Sequence, residues 1–250
     1  MELDIQKASM WKRISAYLFD ALLLSIVIVC IAWLMSVLFG YTEYSEQFND
    51  IRLQYEQEYG VDFESDLDSL TPEEKAAVES AYEKFTMNED ANYAYMMMII
   101  LALAIISISI LAGYFILEFI IPLIFKNGQT IGKKAFGIAV MRADGVRLIP
   151  AALFVRSILG KCVVETMVPL LILVMIFFGS AGLLGMIAVA LIVLFQIVLI
   201  VATKTRSAIH DLLAYSVAVD FTSQRIFDSP EALLDYKKKI HAEESLYKER

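Results

Sequence analysis

Residues 11–39, WKRISAYLFDALLLSIVIVCIAWLMSVLF, decide the fold. The run is long enough to cross the roughly 30 Å hydrocarbon core of a bilayer as one helix. It carries Arg13 at its mouth and Asp20 inside. Seven residues is about two turns, so these two side chains project from nearly the same side. An acid at membrane depth costs about 2.5–3.5 kcal/mol on insertion scales, so Asp20 must be either tightly paired or part of a working site. Its partner is the question that organises the chain.

Composition points the same way. The chain has 250 residues, 58% of them hydrophobic, with a mean hydropathy of +0.63. That excess over the usual 45–50% apolar content indicates a multi-spanning membrane protein. The formal net charge of -8 conceals a segregation: residues 41–92 hold 15 Asp/Glu and 3 Lys/Arg, whereas the rest holds 14 acids and 18 bases. No basic stripe on a folded face supports nucleic-acid binding. Cys30 and Cys162 both lie in apolar stretches and read as inert thiols. The first apolar run is too long for a signal-peptide core and has no small-residue cleavage site after it, so it is expected to stay as an anchor.

Taken in order, 1–12 is a short polar tail and 13–40 is the first transmembrane helix. Residues 41–92 form an acidic insertion. Within it a helix is expected from Tyr44 to Tyr59, stopped by Gly60. A second follows the capping box Thr71-Pro72-Glu73-Glu74 and runs to about Met87. Residues 93–125 are the second transmembrane helix, with Glu118 inside it and Pro122 expected to kink or end it. Residues 126–152 are a basic loop: Gly137 to Arg142 reads as a strand, Asp144-Gly145 as a hairpin turn, and Val146 to Ile149 as the returning strand. Residues 153–203 hold the third and fourth spans around Gly179-Ser180-Ala181-Gly182. Residues 204–250 hold a third strand-like piece, Ser216 to Asp220, and a charged helix after Ser229-Pro230-Glu231. The expected fold class is all-α transmembrane: a four-helix membrane bundle with a small cytoplasmic β-hairpin or sheet and an extracytoplasmic helical insertion.

Orientation follows from the basic residues. Segments 1–13, 126–161 and 204–250 hold 3, 7 and 8 Lys/Arg. Four spans put all three on one side, the cytoplasm, with both termini there and the acidic insertion outside. Lys237, Lys238, Lys239 and the basic loop are expected to meet anionic lipid headgroups.

Four polar side chains fall at comparable depth on a rise of about 1.5 Å per residue: Asp20 at ~9 Å, Glu118 at ~10 Å, Gln196 at ~12 Å and Glu165 at ~13 Å. One reading is a hydrated pathway for a monovalent cation or proton, in which neighbouring carboxylates raise one another's pKa and share protons. The other is that the acids pair with Arg13, Arg156 or helix ends and fix the bundle. Gln196 also reads as a simple interhelical hydrogen-bonder. Asp62, Glu64, Asp66, Asp68 and Glu73 match a calcium-loop register, but Leu67 stands where glycine is needed and Pro72 precedes the last ligand, so they read as a solvated acidic face. His210 reads as an ordinary hydrogen-bonding histidine at a membrane edge. No metal site, cofactor or nucleophile arrangement is expected, and the chain reads as a non-enzyme.

The motifs in order resemble a known family. They are Arg13-x-x-Ala16-x-x-x-Asp20, then Gly128-Gln129-Thr130-Ile131-Gly132-Lys133-Lys134 with Gly137-Ile138-x-Val140 and Asp144-Gly145. Arg156 with Leu159-Gly160-Lys161 follows, and then His210-Asp211-Leu212-Leu213-Ala214. Together they resemble the RDD family of bacterial membrane proteins, over about 11–40 and 93–220. The resemblance implies that Arg13, Asp20 and Asp211 are the signature residues and that the protein sits in the bacterial plasma membrane. It also implies a multi-pass membrane domain of mostly unknown function; transport has been proposed for the family, and some members are linked to sodium/proton exchange. Tyr215 stands where the family commonly has glycine. On this basis the expected function is a cation/proton-coupled transporter, with homo-oligomerisation a natural way to build a pathway from four short spans. The alternative is a non-catalytic scaffold or accessory subunit that binds a partner through the insertion or the cytoplasmic face.

Overall fold

The computed structural model describes residues 5–203 and 207–248. Its helices are α1 (Met10–Leu38), α2 (Tyr41–Tyr59), α3 (Pro72–Thr86), α4 (Glu89–Phe125), α5 (Ile131–Ala135), α6 (Pro150–Phe177), α7 (Gly182–Ala202), α8 (Ile209–Leu213) and α9 (Pro230–Lys248). Two strands, β1 (Ile138–Arg142) and β2 (Ser216–Asp220), pair antiparallel. Four helices, α1, α4, α6 and α7, are long and apolar enough to cross a membrane. Their large apolar side chains point outward, Trp33 at 70% and Leu184 at 80% exposure, as lipid requires and water would not tolerate over so large a surface. Lys204 and Arg206, part of the basic edge expected after the fourth span, lie outside the described residues.

The chain divides into two units, Met1–Ile28 with Ile110–Arg250, and Val29–Ser109. In the second unit the insertion has its own aromatic core. Phe85 lies 5.4–5.7 Å, ring to ring, from Phe48, Tyr55 and Phe63, at about the spacing edge-to-face pairs prefer. Thr71 and Glu74 cap α3 reciprocally, and Gly60 ends α2 in the left-handed conformation open to glycine.

In the first unit α4 and α6 are not uniform α-helices. Each carries a π-helical segment, Phe115–Ile120 in α4 and Val155–Met167 in α6. Pro122 does not end its helix: the π segment lies directly before it and the chain runs on helically to Phe125. Apart from Glu89 and Asp90 in the first turn of α4, the π segments contain all the charged residues of these two helices, Glu118 in one and Arg156, Lys161 and Glu165 in the other. Wide π turns recur at functional sites in helices.

The sheet differs from the expected hairpin. Asp144-Gly145 does turn the chain, with Val146 O accepting from Arg142 N–H at 2.8 Å. Yet Val146 to Ile149 forms no full strand and pairs back on β1 through a single antiparallel bridge, Arg147 opposite Met141. The Arg147 N–H goes to Phe227 O at 2.8 Å instead, and Pro150 opens the next helix. The partner of β1 is β2, and the N-terminal segment lies along the other edge of β2, where the Asp220 N–H donates to Gln6 O at 2.9 Å. Residues 6–8 of the polar tail therefore pack on the sheet. Both strands bury four of their five residues, with Ala139, Met141, Val217 and Val219 forming one cluster and Ile138 and Ala218 joining Ala8 and Ala16 in another.

One pattern occurs twice in this unit. A five-residue helix, a residue at positive φ and a five-residue strand follow α4, and the same series follows α7. Each element of the second series lies 78 residues after its counterpart: 131 to 209, 137 to 215, 138 to 216. Gly137 has φ 66° and Tyr215 φ 49°. The strand register is centred on Val140 opposite Ala218, which are equivalent positions in the two series. The two series are therefore related by a local pseudo-two-fold axis through that pair.

Candidate buried charge cluster

The partner of Asp20 is the start of α5. Its Oδ1 accepts the Gly132 N–H at 2.7 Å and its Oδ2 accepts the Thr130 hydroxyl. Free amides at a helix start favour a carboxylate for two reasons: their hydrogen bonds are otherwise unmade, and the local dipole is positive. The approach is close because Gly132 has no side chain. A Cβ there would stand 2.4 Å from the Ala16 carbonyl oxygen.

The second half builds the same joint. His210, 78 residues after Gly132, donates its N–H at 2.9 Å to Glu165 Oε1 on α6. Here the close approach is opened from the other side, since a Cβ on Gly160 would stand 2.6 Å from the His210 Cβ. Ala16 and Asp20 are four residues apart in an α-helix. Gly160 and Glu165 are five apart in a π segment. Both spacings are about one turn of their own helix type, so each span presents a small residue and a carboxylate to its short helix on one face.

Third positions in the short helices differ in sign. In α5 it is Lys133, whose Nζ lies 3.2 Å from Thr130 Oγ1, 3.9 Å from Asp20 Oδ2 and 4.0 Å from Glu118 Oε2. The other oxygen of Glu118 accepts from Lys161 Nζ at 2.6 Å. In α8 it is Asp211, buried and held by Arg156 through Nε at 3.0 Å and Nη2 at 2.9 Å. The Ser216 hydroxyl adds a bond to the same carboxylate at 3.0 Å, and Arg13 Nη2 stands 3.8 Å from its second oxygen. Burial alone would raise the Asp211 pKa, but Arg156, His210 and Arg13 outweigh it and hold the group below the usual carboxylate range. His210 sits between Glu165, 2.9 Å from Nδ1, and Asp211, 3.6 Å from Nε2. Burial, helped by Arg156 and Lys161, lowers its pKa despite those two acids. Gln196 lines this side too, with its side-chain oxygen 3.4 Å from the Ile209 amide.

The expected layer of four polar side chains thus resolves into two groups. Asp20 and Glu118 meet at Lys133, whereas Glu165 and Gln196 meet at α8. The contacts of the described residues set each carboxylate against a base or a helix amide, the arrangement of the second of the two readings. Asp20, Glu118, Glu165 and Asp211 each face a lysine, an arginine, a histidine or a helix amide. Asp20 turns toward α5 and not toward lipid, with 12% of its side chain exposed. Arg13 does approach Asp211, but Arg156 is the nearer grip. Lys133 and Lys161 escaped the sequence reading because each lies in a basic segment that looks like a headgroup contact. The signal that finds them is spacing: Lys133 directly follows the Gly132 that admits Asp20, and Lys161 directly follows Gly160.

A single motif set therefore accounts for the joints and their charges, and it coincides with one family profile. The RDD family matches residues 7–215. The chain belongs to the RDD family. Within this RDD chain Asp20 and Asp211, which the resemblance marks as signature acids, do different jobs: one caps a helix and the other anchors an arginine. The match takes in α1 to α8 and the Tyr215 turn, and leaves β2 and α9 beyond it. Neither the curated proteins nor the solved structures searched gave a match.

Proposed function

We propose that this membrane protein couples the movement of a monovalent cation to that of a proton across the bilayer, in the bacterial plasma membrane. The observation that carries this reading is the buried meeting of Asp20, Glu118 and Lys161, from the three spans α1, α4 and α6, with Lys133 of the short helix α5. Charges at such depth are costly and mark ion or proton pathways. Among the described residues Glu118 Oε2 is buried and makes no hydrogen bond, so the group is incompletely satisfied as it stands; Arg156 Nη1 in the second group shares that state, but its guanidinium makes two hydrogen bonds to Asp211 through Nε and Nη2. Lys133 reaches both carboxylates only at ion-pair distance, which leaves room for exchange. The second group, with Arg156 clamped on Asp211, forms the fixed frame. The role is transport and not catalysis, and a second copy of the chain would complete a pathway too small for four spans. Both termini and the two short helices lie on the cytoplasmic side in this reading, on the basic-residue rule, with basic side chains against anionic headgroups.

The test is cation/proton exchange in everted membrane vesicles, with Asp20→Asn and Glu118→Gln compared with wild type at equal insertion. Loss of exchange in Glu118→Gln supports the reading, and wild-type exchange in both variants removes these carboxylates from the pathway. A second reading, a scaffold or accessory subunit, is favoured by one observation: the acidic insertion folds around its own aromatic core. Deleting 44–90 separates them, because loss of a co-purifying partner with ion flux intact assigns that region to partner binding.

A further inference from the structure

We propose that Lys133 is the group in this cluster that takes up and releases the proton, while the carboxylates around it stay ionised. The inference rests on the proton-coupled reading above and names the residue that performs its central step. The geometry separates Lys133 from every other cation in the cluster. Lys161 makes a 2.6 Å contact with Glu118 and Arg156 makes two hydrogen bonds to Asp211. Among the described residues the Lys133 ammonium has a single hydrogen-bonding neighbour, the Thr130 hydroxyl, and stands 3.9 and 4.0 Å from its acids. Only 12% of its side chain is exposed.

The groups around it come from three elements: Asp20 on α1, Glu118 on α4, and Lys161 and Arg156 on α6. Burial, together with Lys161 and Arg156, pushes Lys133 down to about 8, against the partial opposition of Glu118 and Asp20. A loosely paired, desolvated amine crowded by other cations releases its proton more readily than an exposed one. In the step itself an N–H bond breaks, the electron pair stays on Nζ and the proton passes to water. Asp20 and Glu118 then face Lys161 alone, which leaves one negative charge uncompensated in the cluster. That charge draws a monovalent cation inward, and return of the proton to Nζ expels it. The amine itself makes the coupling one-for-one.

The test uses the full chain, purified, with Lys133→Met and Lys133→Arg beside wild type. Thermal unfolding is followed from pH 7 to pH 10, and proton flux is followed in liposomes. A lysine with a lowered native pKa is charged at a cost below about 8 and is relieved of it above. The wild-type midpoint should therefore rise with pH between about 8 and 10 relative to Lys133→Met, which lacks the step. Both variants should lose at least about tenfold in coupled flux while remaining folded. Lys133→Arg guards against a folding artefact, because it keeps the charge and cannot release the proton. Superposable pH profiles of wild type and Lys133→Met, or wild-type flux in Lys133→Arg, overturn the proposal. If the step is present but wild type moves no protons, the transport reading fails and Lys133 still stands as the protonation site. If wild type exchanges ions but the step is absent, only this proposal fails.

Discussion

The two halves of the membrane unit share a scaffold and differ in tension. In each, a span offers a carboxylate to the second amide of a five-residue helix, and a glycine lets the backbones close. In the second half the residue that follows, Asp211, is locked by Arg156 with short hydrogen bonds. In the first half its equivalent, Lys133, is held at 3.9–4.0 Å by two acids. The comparison teaches that one joint is closed by direct hydrogen bonds and the other only loosely paired. A buried pair with good geometry resists change, whereas an incompletely paired buried charge can change state.

That contrast can be broken first at the Arg156–Asp211 pair. Arg156→Met should cost about 3–5 kcal/mol, because it strands the buried Asp211 charge. Arg156→Met with Asp211→Leu should be less damaging than Arg156→Met alone, as measured by the unfolding midpoint in detergent. A double variant as unstable as the single one would mean that Arg156 acts by something other than pairing. The equivalence of the halves is sharpened by the two glycines. Gly132→Ala and Gly160→Ala should each cost about 1–3 kcal/mol through backbone displacement, and by similar amounts. Tolerance at one site alone would break the symmetry. Removing the cap comes next: Asp20→Leu should cost about 1–2 kcal/mol and Asp20→Asn less, since an amide oxygen still accepts from Gly132. The smallest effect is a gain. Tyr215→Gly should stabilise the protein by about 1 kcal/mol, because a tyrosine at φ 49° is strained where its counterpart is Gly137. A loss of stability there would show that the exposed tyrosine ring contributes more than the turn costs.

Much of this was legible in the sequence. Apolar run lengths gave the four spans, the Thr71 capping box and Gly60 gave the insertion helices, and the charge anomaly singled out Asp20, Glu118 and Glu165. What could not be read was pairing across distance. Periodicity places Asp20 on a helix face but does not say that a helix start 112 residues later meets it. The π segments were invisible for a related reason. They hold the charged side chains that converge on α5 and α8, and an apolar pattern does not reveal a turn widened by one residue. The strand-like pattern of Ser216 to Asp220 coincides with β2. The hairpin return is cut short to one bridge, Met141 to Arg147, because a two-residue turn signal fixes a reversal and not the length of the ladder after it. The repeat was hidden because its two copies keep conformation and not residue type: glycine against tyrosine, lysine against aspartate.

The measurement that bears most directly on the transport account is ion and proton flux through the purified protein in liposomes, wild type against Glu118→Gln. The account predicts proton movement coupled to a monovalent cation in wild type. It predicts loss of that coupling in Glu118→Gln with the Arg156–Asp211 anchor, and hence the folded protein, intact. Equal coupled flux in the two proteins would contradict it.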